Sequence, residues 1–423
     1  MIPLLLWAAV ISHVVSHPTT SLDVPPSTFW FRRDPETRMT VPEIIKHWGY
    51  PVEVHHVVTP DGYILEMHRI PYGKAGPSNT SRPVVFLQHG LECSSSDWIM
   101  NLPDQSAGYV FADAGFDVWM GNMRGNKYSR NHISFNPFFS SFWNFTWDKM
   151  AQYDLSSMID HVLITSGQTH VYYVGHSQGT LTMFAKLSTD PAFSKKIRMM
   201  FALAPVGSVK HITGLIRKFI DGVSTNFAAF VSLFGSAEFL PNNFFTTTFT
   251  TLACETFIQR EICKQILFAM VGYDSKGMNT SRIPVYLSHT PAGTSSLNIL
   301  HWMQMVKTGS VARFDHGEAL NKVAYGQKLP PPYEFKNISD TPIYLFTGGN
   351  DVLADPDDIK GYLLPHIEPF VKYYKHLPEY NHLDFVWGLH AATDVYLPIA
   401  EHIKKHIEED PKPKPTSCSV TNS

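Results

Sequence analysis

The stretch Val171-Tyr172-Tyr173-Val174-Gly175-His176-Ser177-Gln178-Gly179 decides how this chain is read. Four β-forming residues run straight into Gly-x-Ser-x-Gly, and a helical run follows from Thr180. Small residues around Ser177 permit a strained turn that holds its hydroxyl above a sheet edge, which is what a nucleophile elbow requires. Working outward, other short apolar runs also stop at loops of small or polar residues: Val84–Gln88, Asp117–Met120, Met199–Ala204 and Ile343–Thr347. Helix-length segments such as Trp147–Ser166 and Gly179–Leu187 separate several of them. Val52–Val58 and Tyr63–Ile70 flank the turn chemistry Pro60-Asp61-Gly62 and read as an antiparallel hairpin. Strands alternating with helices predict an α/β fold, its sheet mostly parallel and flanked by helices. Chemistry in such folds collects at the carboxyl ends of the strands.

A serine hydroxyl is a poor nucleophile near neutrality and needs a base, which in turn needs an orienting acid. After an elbow the expected chain order is Ser, then Asp or Glu, then His. Asp351 stands at the end of the strand Ile343–Thr347, whereas Asp355, Asp357 and Asp358 fall where a helix begins and acidic residues serve as caps. Asp351 is therefore the expected acid. A strand from Val371 to Lys375 leads to Glu379-Tyr380-Asn381-His382, which makes His382 the expected base, with His376 and His390 as alternatives. Acyl transfer also needs oxyanion donors. The backbone N–H of Gln178 follows the nucleophile, and Gln88-His89-Gly90-Leu91 offers the N–H of Leu91 after an early strand. No step of this chemistry calls for a metal or cofactor.

Composition narrows the class. The 423 residues carry 34 Lys+Arg against 37 Asp+Glu and are 44% hydrophobic, which excludes a basic nucleic-acid binder, a disordered chain and a small disulfide scaffold. The 21 histidines would carry the formal charge from −3 toward at most +18 if all were protonated in acid (−3 + 21 = +18).

Residues 1–16 read as a signal peptide, since the apolar run from Met1 to Val10 is too short to span a bilayer and Val14 and Ser16 suit a cleavage site. Sequons begin at Asn79, Asn144, Asn279 and Asn337 and suit a secreted or lysosomal protein that meets membranes peripherally. Cys254 and Cys263 close a short loop and form the most economical disulfide, while the pairing of Cys93 and Cys418 is open. The strand–helix alternation breaks between about 208 and 336, where Phe-rich stretches (Phe227–Phe230, Phe244–Phe249) mix with helical periodicity. The expected organisation is a core from 17–207 and 337–409, a mainly helical cap or lid inserted at 208–336, and a Pro/Lys/Ser-rich disordered tail at 410–423.

The chain resembles the acid lipase family from about Asp34 to about Ile407. The resemblance is carried by Asp61-Gly-Tyr-Ile-Leu65, Val85-Phe-Leu-Gln-His-Gly-Leu91, Ala112-Asp-Ala-Gly-Phe-Asp-Val-Trp-Met-Gly-Asn122, Arg124-Gly-Asn126, Tyr173-Val-Gly-His-Ser-Gln-Gly179, His289-Thr-Pro-Ala-Gly-Thr-Ser295 and Asn381-His-Leu-Asp-Phe-Val-Trp-Gly388. It implies an α/β-hydrolase core with a movable lid and hydrolysis of neutral-lipid esters such as triacylglycerols or cholesteryl esters. Within it Ser177, Asp351 and His382 take the catalytic roles, Leu91 and Gln178 the oxyanion roles, and Cys254 with Cys263 the cap disulfide. Met123, where a small polar residue is expected, His316, where an aromatic is usual, and Cys93 depart from the pattern.

Overall fold

The computed structural model of the chain describes residues 34–224, 237–242, 268, 271–272 and 277–409. The expected leader and tail, Cys254, Cys263, Cys418 and both Phe-rich stretches lie outside the described residues. The strands in chain order are β1 (Glu53–Val58), β2 (Tyr63–Ile70), β3 (Val84–Gln88), β4 (Asp117–Gly121), β5 (Asn131–His132), β6 (Val171–His176), β7 (Ile197–Leu203), β8 (Glu238–Phe239), β9 (Thr294–Ser295), β10 (Ile343–Gly348) and β11 (Val371–Leu377).

Strand order in the large sheet is β1-β2-β4-β3-β6-β7-β10-β11, with the short β5 added on β2. From β4 to β11 every pairing is parallel, and β2 runs antiparallel to both β1 and β4. The fold is that of an α/β-hydrolase, a mostly parallel sheet flanked by helices. Sequence explains the contrast between centre and edge. A parallel strand covered on both faces must be apolar throughout, and β3, β4 and β6 are buried at every position. The edge strands β1 and β11 alternate with solvent instead. At the opening hairpin Gly62 takes φ +94°, and its N–H reaches the Thr59 carbonyl at 2.9 Å.

The segment Trp147–Ser166 reads as one helix in sequence, but the structure divides it. A wide π turn at Met150–Asp154 precedes the regular helix Leu155–Ser166. Asp154, the last residue of that turn, meets Arg124 with a carboxylate as fully buried as the guanidinium. Among the described residues, none between Leu203 and Ile343 joins the large sheet. Helices Ile283–His289, Ser296–Thr308 and Glu318–Tyr325 and the small β8/β9 ribbon lie there instead.

Register aligns the strand ends that matter. Gln88 pairs with Gly175, His176 with Leu203, Phe346 with Leu203 and Gly348 with Leu377. The loops leaving β3, β6, β10 and β11 therefore open on one end of the sheet, and they carry Leu91, Ser177, Asp351 and His382.

Candidate active site

Ser177 links β6 to the helix Gln178–Thr189 with φ +53° and ψ −118°, a conformation that costs a non-glycine residue about 1–3 kcal/mol. Its surroundings hold it there. The Ser177 N–H donates to the Leu203 carbonyl at 3.1 Å, and its own carbonyl accepts from the N–H and hydroxyl of Thr180 at 2.8 and 2.7 Å. The flanking glycines are needed for close approach: a Cβ on Gly179 would lie 2.5 Å from the Gln88 carbonyl oxygen, and one on Gly175 would lie 2.8 Å from the Tyr173 ring.

Three loops converge on the hydroxyl. His382 Nε2 lies 2.8 Å from Ser177 Oγ, and His382 Nδ1 lies 3.0 and 2.9 Å from the two Asp351 oxygens. All three residues are buried. Asp351 Oδ1 also accepts the N–H groups of Leu353 and Ala354 at 2.9 and 2.8 Å, which fixes the carboxylate toward the imidazole. The Asn381 side chain accepts from the N–H groups of Leu383 and Asp384 and so shapes the His382 loop.

The other acids and histidines are engaged elsewhere. Asp355 caps the turn at Asp357, and Asp358 accepts from Ser208 and the His211 N–H. His376 pairs with Thr347, and His390 is exposed.

Of the segments carrying the two expected donors, Gln178 directly follows the serine, and a Cβ on Gly90, the residue before Leu91, would lie 3.1 Å from Ser177 Cβ. Gln178 is the first residue of its helix, so its N–H has no intrahelical partner. The loop before Leu91 is set by His89, whose Nδ1–H donates to the Gly90 carbonyl at 2.8 Å. Its Nε2 is thereby left to accept from the Met123 N–H at 3.1 Å and Asn126 at 3.2 Å.

Residues 83–389 match the family described as alpha/beta hydrolase fold, and residues 41–102 match a partial alpha/beta-hydrolase lipase region. Lipase lipl-5 of Caenorhabditis elegans is 54% identical over 370 residues, covering 86% of this chain and 92% of the relative. Lipase lipl-1 of the same worm is 47% identical, covering 95% and 98%. Human gastric triacylglycerol lipase is 46% identical, covering 88% and 92%. The chain belongs to the acid lipase family. As a member it is a carboxylic ester hydrolase.

Sequence reasoning missed several residues that brace this lipase site. His176 donates from Nε2 to the His382 carbonyl at 2.9 Å and so ties the elbow to the His382 loop. The Gln178 side chain accepts from Asn298 at 3.0 Å and Trp302 at 2.7 Å, which packs the helix Ser296–Thr308 onto the Ser177 turn. Glu92, directly after Leu91, takes φ +59° and is held by Ala292 and Gly293, whose N–H groups reach its carbonyl and Oε2 at 2.6 and 3.2 Å. Burial pushes its carboxyl well above the usual range, with Glu238 adding to the shift. Only the positions of His176 and Gln178 inside the elbow motif could have marked any of these beforehand.

The residues that depart from the family pattern have structural places. Met123 is buried and lines a cavity of about 10 Å³ with Gly90, Glu92 and Gln178. His316 packs edge-on against Phe314, with ring centroids 4.9 Å apart, so an imidazole stands where an aromatic ring is usual. Cys93 is a buried free thiol whose pKa burial raises well above its ordinary value. Of the sequon asparagines, Asn79, Asn144 and Asn337 are exposed, while Asn279 is half-buried and caps the turn at Ser281.

Burial keeps the charge in acid below the upper bound of +18. His89, His176 and His289 are buried, and desolvation lowers them to about 4, 3 and 3. His68 and His301 are lowered by burial as well. The folded chain therefore stays short of +18 in mild acid, because at least His89, His176 and His289 remain neutral there.

Asp97 shows the opposite shift. It is 2% exposed and, among the described residues, has no cation or backbone N–H against its carboxylate; burial raises it to about 7, offset in part by a weak hydrogen bond from the Cys93 thiol. An unfolded Asp titrates near ~3.9, so between about pH 4 and 7 the folded chain keeps a proton that the unfolded chain has lost. Stability from this group is complete below that window and falls as pH rises through it. Asp97→Asn removes the dependence. Thermal melts are expected to show the variant gaining on the wild type from pH ~4 to ~8, by up to about 4 kcal/mol. A constant difference across that range would refute the assignment.

Proposed function

We propose that the chain is a serine lipase that hydrolyses neutral-lipid esters, triacylglycerols or cholesteryl esters, through an acyl-enzyme on Ser177. The observation that carries this reading is the unbroken contact from Asp351 through His382 to the Ser177 hydroxyl. His382 Nε2 takes the Ser177 proton as Oγ bonds to the ester carbonyl carbon, and Asp351 holds the imidazole and stabilises its charge. The oxyanion rests on the N–H groups of Leu91 and Gln178. Collapse of the tetrahedral adduct breaks the carbonyl–alkoxy bond, and His382 returns the proton to the departing alcohol. Water then attacks the acyl-enzyme, giving its proton to His382, and the acid leaves as Ser177 recovers its hydrogen.

The lipid preference rests on the relatives' names and on an apolar segment, 208–336, which we assign as a cap over the core at 17–207 and 337–409. The short apolar start and exposed sequons support passage through the secretory pathway, to the lysosome or outside the cell. Among the described residues no helix is long and apolar enough to cross a membrane, and contact with lipid is proposed to be peripheral.

A fluorophosphonate probe should label wild-type protein at Ser177, and emulsified long-chain triacylglycerol or cholesteryl ester should be turned over. Labelling with turnover confined to dissolved short-chain esters would make it an esterase. No labelling would make it a lipid-binding protein without this chemistry.

A further inference from the structure

Four of the twelve strongly exposed large hydrophobic residues among those described fall within seven positions: Ile133, Phe135, Phe138 and Phe139, at 66, 44, 86 and 66% exposure. They belong to the loop that follows β5. From Asn131 to Thr146 the chain carries no Asp, Glu, Lys or Arg. The rival exposed cluster, Leu320, Val323 and Leu329, is interleaved with Glu318, Lys322 and Lys328, which pair with one another.

Sheet register places the uncharged loop. Gly175, two residues before the nucleophile, is level with Gln88, Gln88 with Gly121, and Gly121 with Met67. β5 pairs with Tyr63 and Ile64, beyond Met67 on the same end of the sheet. At ~3.4 Å per residue, Ile64 stands roughly 10 Å past the level of the parallel strand ends. The loop thus rises on the face where Ser177 opens.

The loop is also built to hold its shape. His132 Nδ1 accepts the N–H groups of Ser134 and Phe135 at 2.9 and 3.0 Å, while its Nε2 donates to the Asp61 carbonyl at 2.9 Å. The His132 ring stacks on Phe135 with centroids 4.3 Å apart. The Phe138 N–H donates to Asn136 Oδ1 at 2.9 Å, and Trp143 Nε1–H donates to the Pro137 carbonyl at 2.8 Å. Phe142, Trp143 and Phe145 are buried beneath. A backbone already held in this shape loses little further entropy when the tips insert.

We propose that this loop is a docking surface for an uncharged lipid surface, and that Phe138 and Phe139 insert to bring the Ser177 end of the sheet against it. An electrostatic partner would need charges that the loop lacks, whereas insertion of apolar tips needs only an apolar layer beneath a neutral surface. The inference rests on the lipid-ester reading for its purpose, but its test does not depend on catalysis.

The probe is sedimentation with phosphatidylcholine vesicles, alone and with triolein, using the full chain and Phe138→Ser/Phe139→Ser. The double variant is expected to partition at least tenfold less, to lose turnover of emulsified triolein in parallel, and to keep turnover of a dissolved short-chain ester within about twofold. Wild-type partition should be insensitive to salt from ~0.05 to ~0.5 M. Unchanged partition of the variant overturns the proposal, as does binding that salt abolishes; the surface would then serve a protein partner or none. Partition that falls as expected in a protein unable to hydrolyse triolein would leave the docking surface standing and remove the lipase reading alone.

Discussion

Ser177→Ala is expected to lower kcat on a soluble ester by about 10⁶-fold, with a melting temperature close to that of the wild type. The size follows from the nucleophile and base working as one unit: without Oγ, His382 has no proton to take. What remains is the catalysis supplied by substrate binding and the oxyanion donors, roughly 10³–10⁴-fold over water. The fold should survive because the turn is held by backbone bonds to Leu203 and Thr180, none of which uses Oγ. Asp351→Asn should cost about 10⁴-fold, because the amide N–H donates to Nδ1 and leaves the proton on Nε2, which then cannot take the one on Ser177. Retained full activity in either variant, read in burst and steady-state kinetics, would overturn the assigned roles.

Arg124→Met should cause the largest loss of stability. Its guanidinium is fully buried, contacts Asp154 at 2.6 and 2.8 Å and Asp61 at 2.6 and 2.9 Å, and lies 4.1 Å from the centre of the Tyr63 ring. The Arg124 backbone N–H adds a bond to Asp154 at 3.0 Å. Removing the cation strands the Asp154 carboxylate out of water, which typically costs about 3–5 kcal/mol. Chemical denaturation should show that loss, and adding Asp154→Leu should recover part of it, since the stranded charge goes too.

The variant should also lower kcat more than KM rises. Arg124 follows Met123, whose N–H sets His89 and through it the oxyanion loop. A stability loss below about 1 kcal/mol would mean that water or another cation reaches Asp154.

The chain's local signals were strong because they come from short-range physics. A strand buried on both faces must be continuously apolar, and β3, β4 and β6 are. An elbow must have small residues where backbones meet, and Gly175 and Gly179 lie against Tyr173 and Gln88. The π turn at Met150–Asp154 left no such mark, since a helical pattern reads the same with one widened turn.

The order of residues was enough to place the main strands of the core, their alternation with helices, a candidate serine and a ranked choice of acid and base. Only tertiary structure decided which groups meet. Ser177 and His382 are 205 residues apart, and Gln178 meets Asn298 and Trp302 across 120 and 124. The same packing buries Asp97 with no countercharge, lowers His89, His176 and His289, and turns Phe138 and Phe139 outward while Phe142 and Phe145 face inward. The physical reason is range. Periodicity and turn chemistry act over a few residues, whereas desolvation and charge pairing depend on what the rest of the fold places within a few ångströms.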